Sequence, residues 1–151
     1  MKNNLRLYMD ELRQLCRTPP QEDALLPLEI VSEIGTKAKP LRESHHAKYE
    51  IEFDVKSSPE FRLYVQKLAN ANSSPIYIWT SRSNALGPCK IDSILDFNFD
   101  FEFGVNKEGI IVLLSSDLKD EIILDFSHDS VSGKDMLEIE LFGENWPHVT
   151  L

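Results

Sequence analysis

Glycine is scarce in this chain, with six in 151 residues. No glycine-rich phosphate loop occurs, so a nucleotide-binding fold is not expected. Gly-x-Ser-x-Gly and His-Glu-x-x-His are also missing, and with them the sequence signatures of a serine hydrolase elbow and a zinc protease. Cysteine is limited to Cys16 and Cys89, far apart and in no spacing that suits a metal or a disulfide framework. Two reduced thiols are the expectation. Histidine is limited to His45, His46, His128 and His148. His45 and His46 are neighbours, so on a helix or strand they point apart, and a solvated loop is the simpler reading. His128-Asp129-Ser130 contains the residue types of a catalytic triad, but sequence neighbours do not build one, and the stretch reads as a turn. No Asp-x-Asp-x-Asp-Gly calcium loop is present. Neither a catalytic residue, a metal nor a cofactor is expected.

Long apolar runs are absent too. Nothing approaches the roughly 18 residues that a membrane-spanning helix needs, and Met1-Lys2-Asn3-Asn4-Leu5-Arg6 has no apolar core of a signal peptide. A single cytoplasmic domain, residues 1–151, is expected. Apolar residues make up 42% and charged residues 27%, which suits a globular chain with a core.

Positive charge is missing from one part of the chain. Residues 1–90 carry 13 Lys/Arg against 11 Asp/Glu, whereas residues 91–151 carry 3 against 14. The whole net charge of −9 therefore sits in the later part. Such a field repels nucleic acid and anionic lipid, and attracts a basic protein.

What is present is alternation. Asp96-Phe97-Asn98-Phe99-Asp100-Phe101-Glu102-Phe103 alternates polar and aromatic without a fault, the period-2 signature that predicts a strand with one buried face. Residues 48–56 repeat the design, with Tyr49, Ile51, Phe53 and Val55 on one face. Residues 76–80 form a short apolar strand, and residues 81–90 read as a loop. Residues 110–114 are apolar on both faces, as in a central strand. Residues 121–126 and 136–142 alternate again. Gly109 follows Val105-Asn106-Lys107-Glu108, where a turn requires a left-handed residue.

Two helices are predicted. Over residues 3–17, Leu5, Tyr8, Met9, Leu12, Leu15 and Cys16 share one face until Thr18-Pro19-Pro20 stops it. Over residues 58–70, Phe61, Tyr64, Val65 and Leu68 form the buried stripe behind Ser57-Ser58-Pro59-Glu60, which reads as a capping box starting at Ser57. Residues 21–47 are compatible with either a helix or a strand interrupted by Pro27. The fold class is α+β: an antiparallel, largely meander sheet of about six strands, with two or three helices packed on one face. Residues 96–142 supply a four-stranded meander.

The uncovered face of such a sheet is acidic. Asp96, Asp100, Glu102, Asp125, Glu138 and Glu140 fall on it, along with Glu50, Glu52, Asp54 and Glu121. Like charges opposite one another destabilise a sheet. Ile111, Leu113, Ile123 and Phe142 fall among them as outward apolar positions. Acid around an apolar centre suits an interface for a basic protein. Two carboxylates such as Asp100 and Glu102 could imitate a glycosidase pair, but a flat face offers no groove for sugar.

Ile76-Tyr77-Ile78-Trp79-Thr80-Ser81-Arg82 and the alternating segment 96–103, with Leu137-Glu138-Ile139-Glu140 and Gly143-Glu144-Asn145-Trp146 behind them, resemble the immunity proteins of bacterial polymorphic toxin systems, in particular the contact-dependent growth inhibition type. The likeness spans about residues 48–146. It implies a small cytoplasmic inhibitor that binds one cognate toxin domain, often a nuclease, and is not itself an enzyme. The expected partner surface is Asp96, Asp100, Glu102, Ile123, Asp125, Glu138, Glu140 and Phe142. A second reading is a ligand-sensing or scaffold domain with a pocket between sheet and helices near Trp79, Arg82 and Trp146.

Overall fold

A computed structural model describes residues 2–151. Among these the chain forms six strands: β1 (His46–Glu52), β2 (Ile76–Trp79), β3 (Cys89–Ile91), β4 (Ile110–Ser115), β5 (Asp120–Asp129) and β6 (Lys134–Gly143). They make one open, wholly antiparallel sheet in the order β1-β6-β5-β4-β2-β3. Helices α1 (Lys2–Leu15), α2 (Leu28–Ala38), α3 (Pro59–Ala71) and the short α4 (Ser83–Leu86) complete the α+β fold.

The β4-β5-β6 meander follows from local chemistry. Its apolar positions alternate, so Ile122, Leu124, Phe126, Leu137, Ile139 and Leu141 all enter one core. The β4–β5 turn is closed by Asp117, whose carboxylate accepts from the Ser115 hydroxyl at 2.7 Å and the Lys119 amide at 3.1 Å. Ahead of β4, Gly109 sits at φ +68°, and a Cβ there would come within 2.4 Å of the Phe126 carbonyl oxygen. The predicted need for glycine at this position is thus real.

α1 and α3 cover one face of the sheet. Tyr8, Met9, Leu12 and Leu15 of α1, with Phe61, Tyr64, Val65 and Leu68 of α3, share a core with the inward residues of the sheet. α3 is capped by Ser58, whose hydroxyl accepts from the Phe61 amide at 3.2 Å, one residue later than the predicted Ser57. α2 lies on the opposite face. Its Ile34 and Ala38, with Leu41 just beyond, pack on Leu114 and Phe142. A helix from Leu28 to Ala38 thus resolves the ambiguous stretch 21–47, beginning directly after Pro27.

The alternating segment 96–103 is not a strand. Ile94–Asp96 and Phe103–Val105 are single 3-10 turns, and the chain between them makes only an isolated bridge, Phe97 to Cys16. The four-stranded meander is therefore three-stranded. The burial alternation is nevertheless there: Phe97, Phe99 and Phe101 are buried while Asp100 and Glu102 are exposed. The backbone pairs with the end of α1 instead of the sheet. Asn98 N donates to Leu15 O at 2.8 Å, and Arg17 N donates to Asp96 O at 2.9 Å. The first bond satisfies a carbonyl that the helix terminus leaves free, and the second satisfies the amide of Arg17 just beyond it. Period 2 reports which side of an extended chain is buried, and a ladder partner is a separate matter.

Three smaller differences share a cause. β1 ends at Glu52, and Phe53–Ser57 turns inward as a 3-10 segment that buries Phe53 and Lys56. The loop expected over 81–90 contains α4 and edge strand β3. In β4 it is Val112 and Leu114 that face α2, while Ile111 and Leu113 face the α1/α3 core. In each case the tertiary partner decides what the local pattern leaves open.

Candidate functional site

The half of the sheet that α2 leaves bare is made by β1, β6 and β5. Register places Glu50, Glu138 and Asp125 directly opposite one another across these three strands. The next row is Lys48, Glu140 and Ile123, and the row beyond it His46, Phe142 and Glu121. Three of the acids meet cations: Lys48 to Glu138 at 3.3 Å, Lys134 to Glu52 at 2.6 Å, and Arg42 to Glu121 at 2.9 Å; a fourth, Glu140, lies 2.8 Å from the His46 ring nitrogen Nε2. The face is thus less uniformly acidic than the sequence suggested, because Lys48 and His46 of β1 and Lys134 of β6 lie beside the acids of the neighbouring strand and Arg42 reaches in from beyond α2.

Glu50, Asp125 and Asp129 make no such ion pair among the described residues. They line a polar groove of about 460 Å³ with Glu138, His128, Ser127, Ser130 and Met136. Partial burial first, then the charges of Glu138 and Glu140, push the Asp125 carboxyl above its ordinary range, and Lys48 pulls it only partly back. Ile110, which pairs with Asp125 across β4, is an exposed large apolar side chain beside the groove.

Of the residues expected to bind a partner, Asp125, Glu138, Glu140 and half-buried Ile123 come together on this face. Phe142 belongs to it by register but is buried, sealed by Ile34 and Leu41, with the His46 ring stacked on it at 4.9 Å. It is therefore a core residue here and offers no contact area. Asp96, Asp100 and Glu102 lie elsewhere, on the segment packed against α1 and α3, because that segment never joins the sheet. Asp54 leaves the face with the turn after β1. Asp129 and His128 were missed as members of the groove. Their neighbourhood depends on the β5–β6 hairpin bringing them beside Met136, and no local motif marks that.

The anticipated pocket does not assemble as a trio. Trp146 is fully buried, its indole N–H donating to Leu68 O at 3.0 Å. Arg82 stands 3.5 Å from Glu11, a buried carboxylate whose oxygens find no hydrogen bond among the described residues. Burial raises the Glu11 carboxyl, and Thr80 and Arg82 counteract it. Trp79 alone lines a cavity, on the α2 side.

The open sheet edge adjoins the groove. β3 is covered along its outer side by Leu25 and Leu26, the latter donating to Pro88 O at 2.9 Å. β1 has no second strand partner among the described residues. His128 Nδ1 and Asp135 Oδ1 are 2.9 Å apart on the exposed β5–β6 hairpin. Among the described residues no group of His, Cys, Asp or Glu is arranged to hold a metal ion, and no helix is long and apolar enough to cross a membrane. Compared with protein-family models, curated proteins and solved structures, the chain matches none.

Proposed function

We propose that this chain is a non-catalytic cytoplasmic binding protein that captures a basic protein domain on the bare half of its sheet, and that the captured domain is a toxin it neutralises, as immunity proteins do. The observation that supports this reading is the row Glu50–Glu138–Asp125, three carboxylates opposite one another on three adjacent strands, of which only Glu138 is paired, to Lys48 of the next row. Such a row costs a few tenths of a kcal/mol per like-charged pair in the free protein. A cationic side chain entering the groove from a partner would remove that cost. Lys or Arg from a nuclease surface has the right charge and reach. The surrounding acid excess would steer the encounter and make association sensitive to salt.

The test begins with a tagged pull-down from the native cell at low and then high salt, with bound proteins identified by mass. The expected result is one stoichiometric basic partner, released as salt rises, whose toxicity on expression is suppressed by this chain. Glu50→Lys with Asp125→Lys should abolish capture while leaving the melting temperature within a few degrees. Undiminished capture by that variant would move the interface to the open β1 edge, where a partner strand could add to the sheet.

A further inference from the structure

A second cavity, of about 240 Å³, lies between the sheet and α2. Its floor is Trp79, Val112 and Leu114. The Trp79 indole N–H donates to Asn84 Oδ1 at 3.1 Å, which fixes the ring in place. Glu121 and Arg42 close one side. The Glu121 side chain is only 6% exposed, and Arg42 Nε donates to its Oε1 at 2.9 Å. That pair neutralises the buried carboxylate through a single nitrogen. The other guanidinium nitrogens of Arg42 make no hydrogen bond to the described residues, and neither does the ammonium of Lys39, which also lines the cavity. An apolar floor with a net positive mouth is unusual in a chain of charge −9.

Gly35 is the independent observation. It occupies the interior of α2, where glycine weakens a helix relative to alanine. No turn or close packing requires it: its φ is not positive, and a Cβ built there meets nothing within 4 Å. Gly35 is exposed and lines the mouth of the cavity, so its missing side chain leaves the entrance open.

We infer that this cavity is a binding site for a small planar aromatic carboxylate. The ring system would lie on Trp79, Val112 and Leu114, and the carboxylate would meet the free guanidinium nitrogens of Arg42 and the ammonium of Lys39. The inference is independent of the protein partner proposed above, and the two tests share no readout.

The probe is 2-naphthoate, followed by calorimetry and by Trp fluorescence, since Trp79 is half-buried at the cavity while Trp146 is sealed in the core. The expected result is saturable 1:1 binding with a Kd on the order of 0.1–1 mM. Gly35→Leu should obstruct the entrance and weaken binding at least about tenfold without lowering the melting temperature. Lys39→Gln should weaken binding by roughly threefold to tenfold. The neutral 2-naphthalenemethanol should bind at least about tenfold more weakly than the acid. If Gly35→Leu fails to fold, Lys39→Glu at its exposed position carries the test, with binding expected to be lost. No saturation by about 10 mM, unchanged binding in both space-filling and charge variants, or equal binding of the alcohol or of 2-naphthylmethylamine would overturn the assignment.

Discussion

The Lys56 ammonium donates to the Phe101 carbonyl at 2.7 Å and lies 4.5 Å from the centroid of the Phe101 ring, with the Phe53 ring at 4.0 Å on another side. One lysine thus pins the irregular phenylalanine segment to the turn after β1. Lys56 is 3% exposed. Burial lowers its pKa to about 8 from 10.5, with Asp100 and Asp54 pulling it partly back.

The pH dependence that follows has a definite sign. Below about 8 both folded and unfolded chains hold the lysine proton, and the cost of burying the charge is fully present. Between about 8 and 10.5 the unfolded chain binds more protons, so this group's contribution to stability rises with pH. Cys16 and the buried Tyr8 and Tyr64, whose ionisation burial disfavours, act in the opposite direction, so the comparison is with Lys56→Met. Denaturant titrations from about pH 7 to 10 should show wild type gaining on the variant, by up to about 3 kcal/mol. A flat difference would mean that the ammonium is solvated.

Asp125→Asn should stabilise the free protein and weaken partner capture. A carboxyl raised in the folded state costs stability as pH rises through its titration, so the variant's advantage should be present at neutral pH and vanish in acid. Because Asp125 is exposed, screening limits the gain to a few tenths of a kcal/mol. A variant that gains stability and loses binding marks a residue held against the interest of the fold. A loss of stability at neutral pH would contradict the repulsion inferred from the Glu50–Glu138–Asp125 row.

Asp120→Ala should be severe. Its fully buried carboxylate accepts from the Asn145 amide at 2.8 Å, the Trp146 amide at 2.9 Å, and the side-chain amides of Asn145 and Asn72, both at 2.8 Å. Removing it strands several buried donors, at a cost of about 3–5 kcal/mol. The Trp146 emission spectrum should shift red as the tail comes loose, and an unchanged spectrum in a destabilised variant would place the defect elsewhere.

Asp100→Lys with Glu102→Lys should leave partner capture nearly unchanged, since both residues are exposed and lie away from the groove, while stability should fall modestly because the Asp100 charge that favours the buried Lys56 ammonium is reversed. Phe101→Ala beside them should cost about 3–5 kcal/mol, the range for truncating a buried aromatic. Slowed association in the double lysine variant would return the interface to the segment that alternation first suggested.

Much of the fold was legible because it depends on local rules. The stripes of α1 and α3, the β5 and β6 alternation, the Pro59 start of α3 and the left-handed Gly109 all follow from periodicity and backbone sterics. The candidate groove was legible only in part. Asp125, Glu138 and Glu140 could be assigned to one face, but Lys48, His46 and Lys134 meet their acids only because β1 pairs with β6, and Arg42 arrives from the stretch beyond α2, neither of which a local pattern encodes.

The sequence by itself determined which side chains must be buried, the acid excess of residues 91–151, and the α+β class. Tertiary structure decided what each buried side chain packs against. Phe97, Phe99 and Phe101 would be buried equally well in a strand or in an extended cover over a helix end, because burial depends on apolar area and is indifferent to direction. Hydrogen-bond partners are directional and come from distant residues. The free carbonyl of Leu15, supplied by the end of α1, drew Asn98 away from the sheet and took Asp96, Asp100 and Glu102 with it.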